Sequence, residues 1–408
     1  MTLYMKLAWR NMFRNTRRTL IAGLAIGIGL AALIFTDALI IGMEQNMVHS
    51  ATGSFMGEGQ IHEGTLREAF EIEKTINNLD RVTAGLAGED IIENYTVRTI
   101  SFAMITSPAN VSAVSMFGID PATEPALSQI DETLIEGSYL PAEPGHEVLI
   151  GSKLADILEV GLGDRVVLTV AQAESGDLSQ EMFRVTGIYH FNISELDRAM
   201  AFVHIDQARR MLALEGRAHE IALKFTDIKL ARNKNLPFWS KYSQDGNEAA
   251  GWNITLPQLD AAFQLSQFST LILAVILFGV ISLGIVNTLF MSLHERMFEF
   301  GVLRAVGTRP MSMGRIIIYE AGSLAVLSVI MGMILGYLST AIMAGIGIDY
   351  TGIEFAGATF RELLYPVPAL YQYIKYPLWV LFFTMIIALY PARYAYKMQP
   401  AQAMRKSF

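Results

Sequence analysis

LHERMFEFGVLRAVGTRPMSMGRIIIYEA, residues 293–321, separates two apolar runs, Phe263–Leu293 and Arg315–Ile346, each long enough to cross a bilayer. Four arginines (Arg296, Arg304, Arg309, Arg315) stand here against two glutamates (Glu295, Glu299), which assigns the stretch to the cytoplasmic side by the positive-inside rule. Glu299–Ala305 has the pattern of a two-turn helix, with Phe300 and Leu303 on one face. Gly307 is a stop, and Pro310 suits the first turn of the next helix. A short charged helix on a membrane surface is either a solvated turn or a docking element.

The wider composition agrees with a membrane protein that also carries a large wet domain. Of 408 residues, 52% are hydrophobic and only 17% charged, too apolar for an ordinary soluble chain. The absence of cysteine excludes disulfides, thiolate metal sites, cysteine nucleophiles and lipidation on cysteine. Between Gly42 and Gln267 there are 16 Lys and Arg against 32 Asp and Glu, whereas the rest of the chain has 15 against 7. An acidic middle between basic flanks is a topology signature rather than a nucleic-acid one.

Taken in order, residues 1–18 carry five basic residues and no acid, with Lys6, Arg10, Arg14 and Arg17 at helical spacing; an amphipathic cytoplasmic helix is expected. Residues 19–41 form a first span, too long for the apolar core of a signal peptide. Asp37, near its outer end, either reaches the interface, pairs with a neighbouring helix, or serves a function there. Residues 42–267 read as an exported α+β domain. Its strands are expected at Val111–Phe117, Glu147–Ile150, Arg165–Val170, Phe183–Ile188, Ala201–Ile205 and Glu220–Phe225. Helices are expected at Thr65–Leu79, Ser152–Leu158 and Asp206–Leu214, the last capped by its aspartate. A second span (268–293), a cytoplasmic loop (294–315), a third span (316–346), an outer loop (347–375), a fourth span (376–395) and a tail (396–408) follow, placing both termini inside. The fold class is therefore four transmembrane helices with a large α+β domain inserted between the first two.

The central stretch carries E-x-G-x-L-R-A-x-G on Glu299, Gly301, Leu303, Arg304, Ala305 and Gly307, then R-x-I-x-x-E on Arg315, Ile317 and Glu320. This resembles the cytoplasmic loop of FtsX-like ABC-transporter permeases, a group that includes lipoprotein-releasing and macrolide-exporting members. L-A-W-R-N at Leu7–Asn11 resembles the start of the lipoprotein-releasing branch. G-I-D-P at Gly118–Pro121, V-G-L-G-D at Val160–Asp164 and F-R-V-T-G-I at Phe183–Ile188 are similar to phrases of the family's MacB-like periplasmic domain. Ser194–Asp197, S-E-L-D, is nearer to the lipoprotein-releasing branch. The resemblance implies that Arg296, Glu299, Gly301, Leu303, Arg304, Ala305 and Gly307 belong to a coupling helix seated on a separate ATPase. Two ATPase copies holding ATP and Mg, a second permease chain, an acylated lipoprotein and a periplasmic carrier are the implied partners, in the bacterial inner membrane. Macrolide-type efflux, or FtsX-like signalling by mechanotransmission without transport, are the alternatives it implies.

The chain itself has no G-x-x-x-x-G-K-[ST] phosphate loop, no H-E-x-x-H and no G-x-S-x-G, so ATP hydrolysis, zinc proteolysis and serine-hydrolase chemistry have no motif here. No cofactor of its own and no metal site is expected. At the outer ends of the first two spans, Ile40, Ile41, Met43 and Met47 cluster on one side and Phe263, Leu265 and Phe268 on the other. They either pack the helices together or, with Asp37, line a cavity for acyl chains, for which methionine and phenylalanine make adaptable walls.

Overall fold

The structure, a computed structural model, describes residues 10, 14, 16–66, 71–355, 358–359 and 363–399. The expected N-terminal amphipathic helix and most of the tail lie outside those residues. Among the described residues four helices are long and apolar enough to cross a membrane: α1 (Thr16–Ala51) and three in the C-terminal third. Between α1 and the second of them the chain forms strands β1 (Gly59–Glu63) to β10 (Asn247–Gly251), with α2 (Leu79–Leu86), α3 (Ser152–Leu158) and α4 (Ile205–Leu212) among them. The C-terminal helices are α5 (Pro257–Glu295), the short α6 (Met297–Ala305), α7 (Pro310–Ile346) and α8 (Gln372–Lys397). Two compact units result: a helical one (Met1–Gln45, Gln264–Asp349, Leu363–Phe408) and a sheet-rich one (Asn46–Phe263, Tyr350–Glu362).

The helical unit is built on close packing of small residues, the device that serves where apolar burial alone cannot drive association. A Cβ on Gly332 of α7 would lie 2.8 Å from the Gly27 carbonyl oxygen of α1, so these two helices meet backbone to backbone. Leu30, Leu33 and Ile34 of α1 are fully buried against Phe278, Ile281 and Ile285 of α5, Leu324 of α7, and Val380 and Ala388 of α8. Phe278 stacks on Phe383 of α8 at 4.9 Å between centroids. α1 has 36 residues, about 54 Å, well over the roughly 30 Å of a bilayer's hydrocarbon core. It continues past Ala51 into a π-helical turn, Thr52–Met56.

In the sheet-rich unit the remaining strands are β2 (Ile92–Thr106), β3 (Val111–Ile119), β4 (Leu134–Gly137), β5 (Glu147–Gly151), β6 (Arg165–Ala171), β7 (Leu178–Tyr189), β8 (Met200–His204) and β9 (Glu220–Phe225). They follow the order β10-β1-β9-β2-β3-β8-β5-β7-β4, and β6 pairs with both β2 and β7. The ladder β2–β3–β8–β5–β7–β6 thus returns to β2 and closes on itself. β3–β8 and β5–β7 are parallel pairs, and other strands lie between their members in the chain. Ile105, Met116, Ile150, Leu168, Phe183 and Val203 form the core of this ring, with Leu154 of α3 and Met211 of α4 packed onto it. α4 lies so near β3 that a Cβ on Gly118 would come within 2.4 Å of Ala208 Cβ.

The six expected strands are all present, within a few residues. The helix expected over Thr65–Leu79 is not. Glu63 accepts from the Thr65 amide and hydroxyl, turns follow, and Asn78 takes the left-handed conformation (φ 55°) that asparagine tolerates, so helix starts only at Leu79; residues 67–70 lie outside the described set. Asp206 is not the cap of α4. His204 is, its Nδ1 accepting from the Asp206 amide at 3.2 Å, while Asp206 sits in the first turn.

One cluster in this unit escaped sequence reading. Arg98 is fully buried between Glu124, at 2.5 Å, and Glu220, at 2.9 Å, with its guanidinium 3.8 Å over the ring of Phe55 from the π-helical turn. Burial alone would lower the Arg98 pKa, but the two carboxylates hold it raised; burial raises Glu220.

Candidate functional site

Residues 293–321 form a short crossbar between two long helices. α5 ends at Glu295, Arg296 leaves helical geometry (φ −111°, ψ 14°), and α6 runs Met297–Ala305. Gly307 takes φ +100°, a conformation that suits glycine, and the Gly307 and Thr308 amides close onto the Arg304 and Leu303 carbonyls. α7 then begins at Pro310.

α6 has two different sides. Phe300 and Gly301 are buried, Phe300 in a cluster with Leu293, Met313, Ile316, Ile317, Ala392 and Ala395. Phe298, Val302, Leu303 and Val306 are exposed, Val306 to 82%. Leu303 therefore does not share the face of Phe300 as its spacing suggested, because the three-residue step carries it round to the open side. Ala305 and Gly307 are also exposed, and Arg304 is half-buried, its Nη1 donating to the Thr308 carbonyl at 3.3 Å.

Arg296 turns inward. Only 7% exposed, it donates from Nη1 to Glu320 Oε2 of α7 at 3.1 Å and from Nε to Glu299 Oε2 at 3.2 Å. Ser292 of α5 donates to the other Glu320 oxygen at 2.5 Å. Glu299 in turn receives Arg14 at 2.6 Å, and Arg18 of α1 meets Glu295 at 2.6 Å. Desolvation alone would raise the Glu299 pKa, but the hydrogen bonds and charges of Arg14 and Arg296 together hold it lowered. The result is a chain of opposite charges, Arg14–Glu299–Arg296–Glu320, that ties α6 to α7 and to the residues before α1. The Arg296–Glu299 spacing of three on a helix is visible in sequence; the pairs across 285 and 277 residues are not.

At the other end of the helical unit, Asp37 Oδ2 accepts from the Tyr371 hydroxyl at 2.6 Å and from Gln372 Nε2 at 2.8 Å. Gln372 is fully buried and opens α8. Of the roles open to Asp37, the geometry supplies pairing with a neighbouring helix. The apolar candidates differ in exposure. Ile40, Ile41 and Met43 are half-buried on α1, while Leu265 (65%) and Phe268 (58%) are exposed on α5. Met47 and Phe263, each 1% exposed, belong to the core of the sheet-rich unit, where the Phe263 ring lies 6.1 Å from that of Trp252. Among the described residues no group of three or more His, Asp and Glu is placed to hold a metal ion.

Two known families match this architecture. The MacB-like periplasmic core domain matches residues 19–233, and the FtsX-like permease C-terminal domain matches residues 271–400. The lipoprotein-releasing system transmembrane protein LolC of Neisseria meningitidis is 22% identical over 74% of this chain and 75% of its own length. LolE of Haemophilus influenzae is 23% identical over 98% of both chains. With one family covering more than half of its residues and the other its last three long helices, the chain belongs to the FtsX-like permeases with a MacB-like periplasmic core, non-catalytic permease subunits of ABC transporters.

Proposed function

We propose that this permease draws lipoproteins from the outer leaflet of the inner membrane and releases them towards the outer membrane, driven by ATP hydrolysis on a separate ATPase. The lipoprotein-releasing names of the relatives support the substrate class. The observation that carries the mechanism is the two-sided α6, with an exposed apolar edge backed by a buried arginine bonded to α7. In this reading Phe298, Val302, Leu303, Arg304, Ala305, Val306 and Gly307 meet a groove on the ATPase. Arg296, Glu299, Gly301 and Glu320 form the strut behind them. ATP and Mg sit on the ATPase, present in two copies; this chain supplies no phosphate loop.

Motion of α6 would pass to α5 and α7, and along the unbroken lengths of α1 and α5 to the sheet-rich unit, placed in the periplasm with both termini cytoplasmic. Four spans are too few to enclose a substrate path, so a second permease chain, identical or related, completes it. Ile40, Ile41 and Met43 on α1 and Leu265 and Phe268 on α5 offer apolar surface for acyl chains at the outer end. Each methylene withdrawn from lipid costs about 0.8 kcal/mol, so extraction of two or three chains needs an external energy source. A periplasmic carrier would receive the product.

Two measurements on the complex from native membranes test this. Mass spectrometry should find acylated lipoprotein co-purifying with wild-type complex. A small amphiphilic drug in its place would favour efflux, and strict dependence on a wall hydrolase without any bound lipoprotein would favour signalling. Arg304→Glu should abolish stimulation of the ATPase while the permease still inserts, since charge reversal at such an interface costs roughly a few kcal/mol. Normal stimulation would remove α6 from the docking role.

A further inference from the structure

An open groove of about 440 Å³ runs between α1 and α5, within the size range of ordinary ligand sites. Arg17 and Arg18 of α1 line it together with Asn287 and Thr288 of α5, and its remaining walls are apolar, among them Ile21, Ile26, Val280 and Ile281. The Arg18–Glu295 bond at 2.6 Å brings the start of α1 beside the end of α5, so all four polar residues belong to one end of the groove. From Arg17 to Ile26 the groove follows α1 for nine residues, and from Met291 back to Val280 it follows α5 for eleven. At 1.5 Å per residue that is a depth of about 13–17 Å, half of the roughly 30 Å hydrocarbon core and so the thickness of one leaflet. Gly284 keeps the wall open: a Cβ there would meet nothing within 4 Å.

Polar head, apolar shaft and one-leaflet depth together describe a lipid. We propose that the groove holds one anionic phospholipid, its phosphate on Arg17, its ester region beside Asn287 and Thr288, and one acyl chain reaching down to Ile26 and Val280. Arg17 is exposed, and a guanidinium matches a phosphate with two parallel donors. The charge of this end selects the headgroup. Among the described residues Arg14, Arg17 and Arg18 stand here against Glu295 and Glu299, so a net-negative lipid is favoured over a zwitterionic one. A resident lipid here would wedge α1 and α5 beside the start of α6. The inference needs only that α1 and α5 cross the bilayer, and it stands or falls separately from lipoprotein release.

The test uses the full chain in mixed micelles of equal phosphatidylglycerol and phosphatidylcholine, read by native mass spectrometry. Wild-type chain should retain one phosphatidylglycerol, preferred about fivefold over phosphatidylcholine, the factor expected of one arginine near the headgroups. Arg17→Gln should bring the preference close to one. Gly284→Leu, whose side chain grows into open space and favours helix, should expel both lipids. Equal retention of the two lipids by wild type would overturn the headgroup assignment, and retention unchanged by Gly284→Leu would overturn the location. A wild-type dimer mass that Gly284→Leu splits would give the groove to a second copy of the chain. Should Gly284→Leu fail to fold, a lipid preference unmoved by Arg17→Gln would still refute the proposal.

Discussion

Removing the charge of Glu320 tests whether the crossbar is braced as the geometry implies. Glu320 is 5% exposed and Arg296 7%, and they meet at 3.1 Å with Ser292 filling the second carboxylate oxygen. Glu320→Gln keeps the shape and leaves a buried guanidinium whose other partner, Glu299, is half exposed at 3.2 Å. Breaking a buried pair on one side costs about 3–5 kcal/mol, and the remaining Glu299 bond puts this case near the lower end, at about 3 kcal/mol. Replacing both members by apolar residues, Arg296→Met with Glu320→Leu, should return stability to within about 1 kcal/mol of wild type, because no charge is then stranded. Stability is measured by unfolding the full chain in mixed micelles, followed by helical circular dichroism. ATPase stimulation is measured on the same proteins in the assembled complex, and it should stay low in both. A Glu320→Gln loss under about 0.5 kcal/mol, the size of a surface substitution, would refute the buried brace. A double variant with full stability and full stimulation would show that the pair only packs α6 and transmits nothing.

Three further outcomes are expected. Gly42→Ala should destabilise the helical unit by about 1–3 kcal/mol, since its Cβ would fall 2.1 Å from the Tyr365 carbonyl oxygen and force apart α1 and the segment leading to α8; an unchanged unfolding midpoint would count against that packing. His219 is buried with Nδ1 accepting from the Ile100 amide and Nε2 bonded to the Ile72 carbonyl, and burial lowers its pKa below 6.5. The unfolded chain therefore takes a proton below about pH 6.5 that the folded chain refuses, and stability falls on acidification by up to about 1.4 kcal/mol per pH unit. Glu58 and Glu220, raised by burial, act with the opposite sign, so the diagnostic is the stability difference between wild type and His219→Gln, which should be constant at neutral pH and shift in favour of the variant below about pH 6.5; a difference that stays constant on acidification would refute it. A cysteine at Ser175 should label with an impermeant reagent from the periplasm and one at Gly307 only after the inner membrane is opened; the reverse pattern would invert the proposed topology.

Much of the fold is legible in the sequence because its signals are local. Apolar runs of span length, Gly307 and Pro310 as punctuation, and alternation in β3, β6 and β7 each act within a few residues. Legibility fails where a short-range signal is overruled. Thr65–Leu79 contains helix formers, yet Glu63 and Asn78 hold turn geometry near its two ends, and the helix starts at Leu79. It also fails where the partner is remote. Arg98 carries no signal of its own in the sequence, and only the fold brings Glu124 and Glu220 against it. Asp37 could be flagged as an acid in a span but not assigned, because Tyr371 and Gln372 lie more than 330 residues away.

The same distinction divides the coupling segment. Sequence adjacency puts Arg296 with Glu299, Leu303 and Arg304 as one docking set, but a helix turns 100° per residue, and residues close in sequence need not share a surface. Arg296 and Gly301 point into the helical unit, whereas Leu303 and Val306 point away from it. A docking helix needs both sides. An outward edge alone would slide or rotate when a partner pushed it, and a buried side alone would offer nothing to push. Buried Phe300 fixes α6 by packing; the Arg296–Glu320 bond adds a directional link to α7, and the Arg14–Glu299 bond one to the residues before α1. A displacement of α6 should therefore be carried by more than the covalent turn to α5, so substitutions on the outward edge should weaken partner binding while leaving stability intact. Substitutions in the strut should do the reverse first, costing stability, and lose stimulation even where the partner still binds.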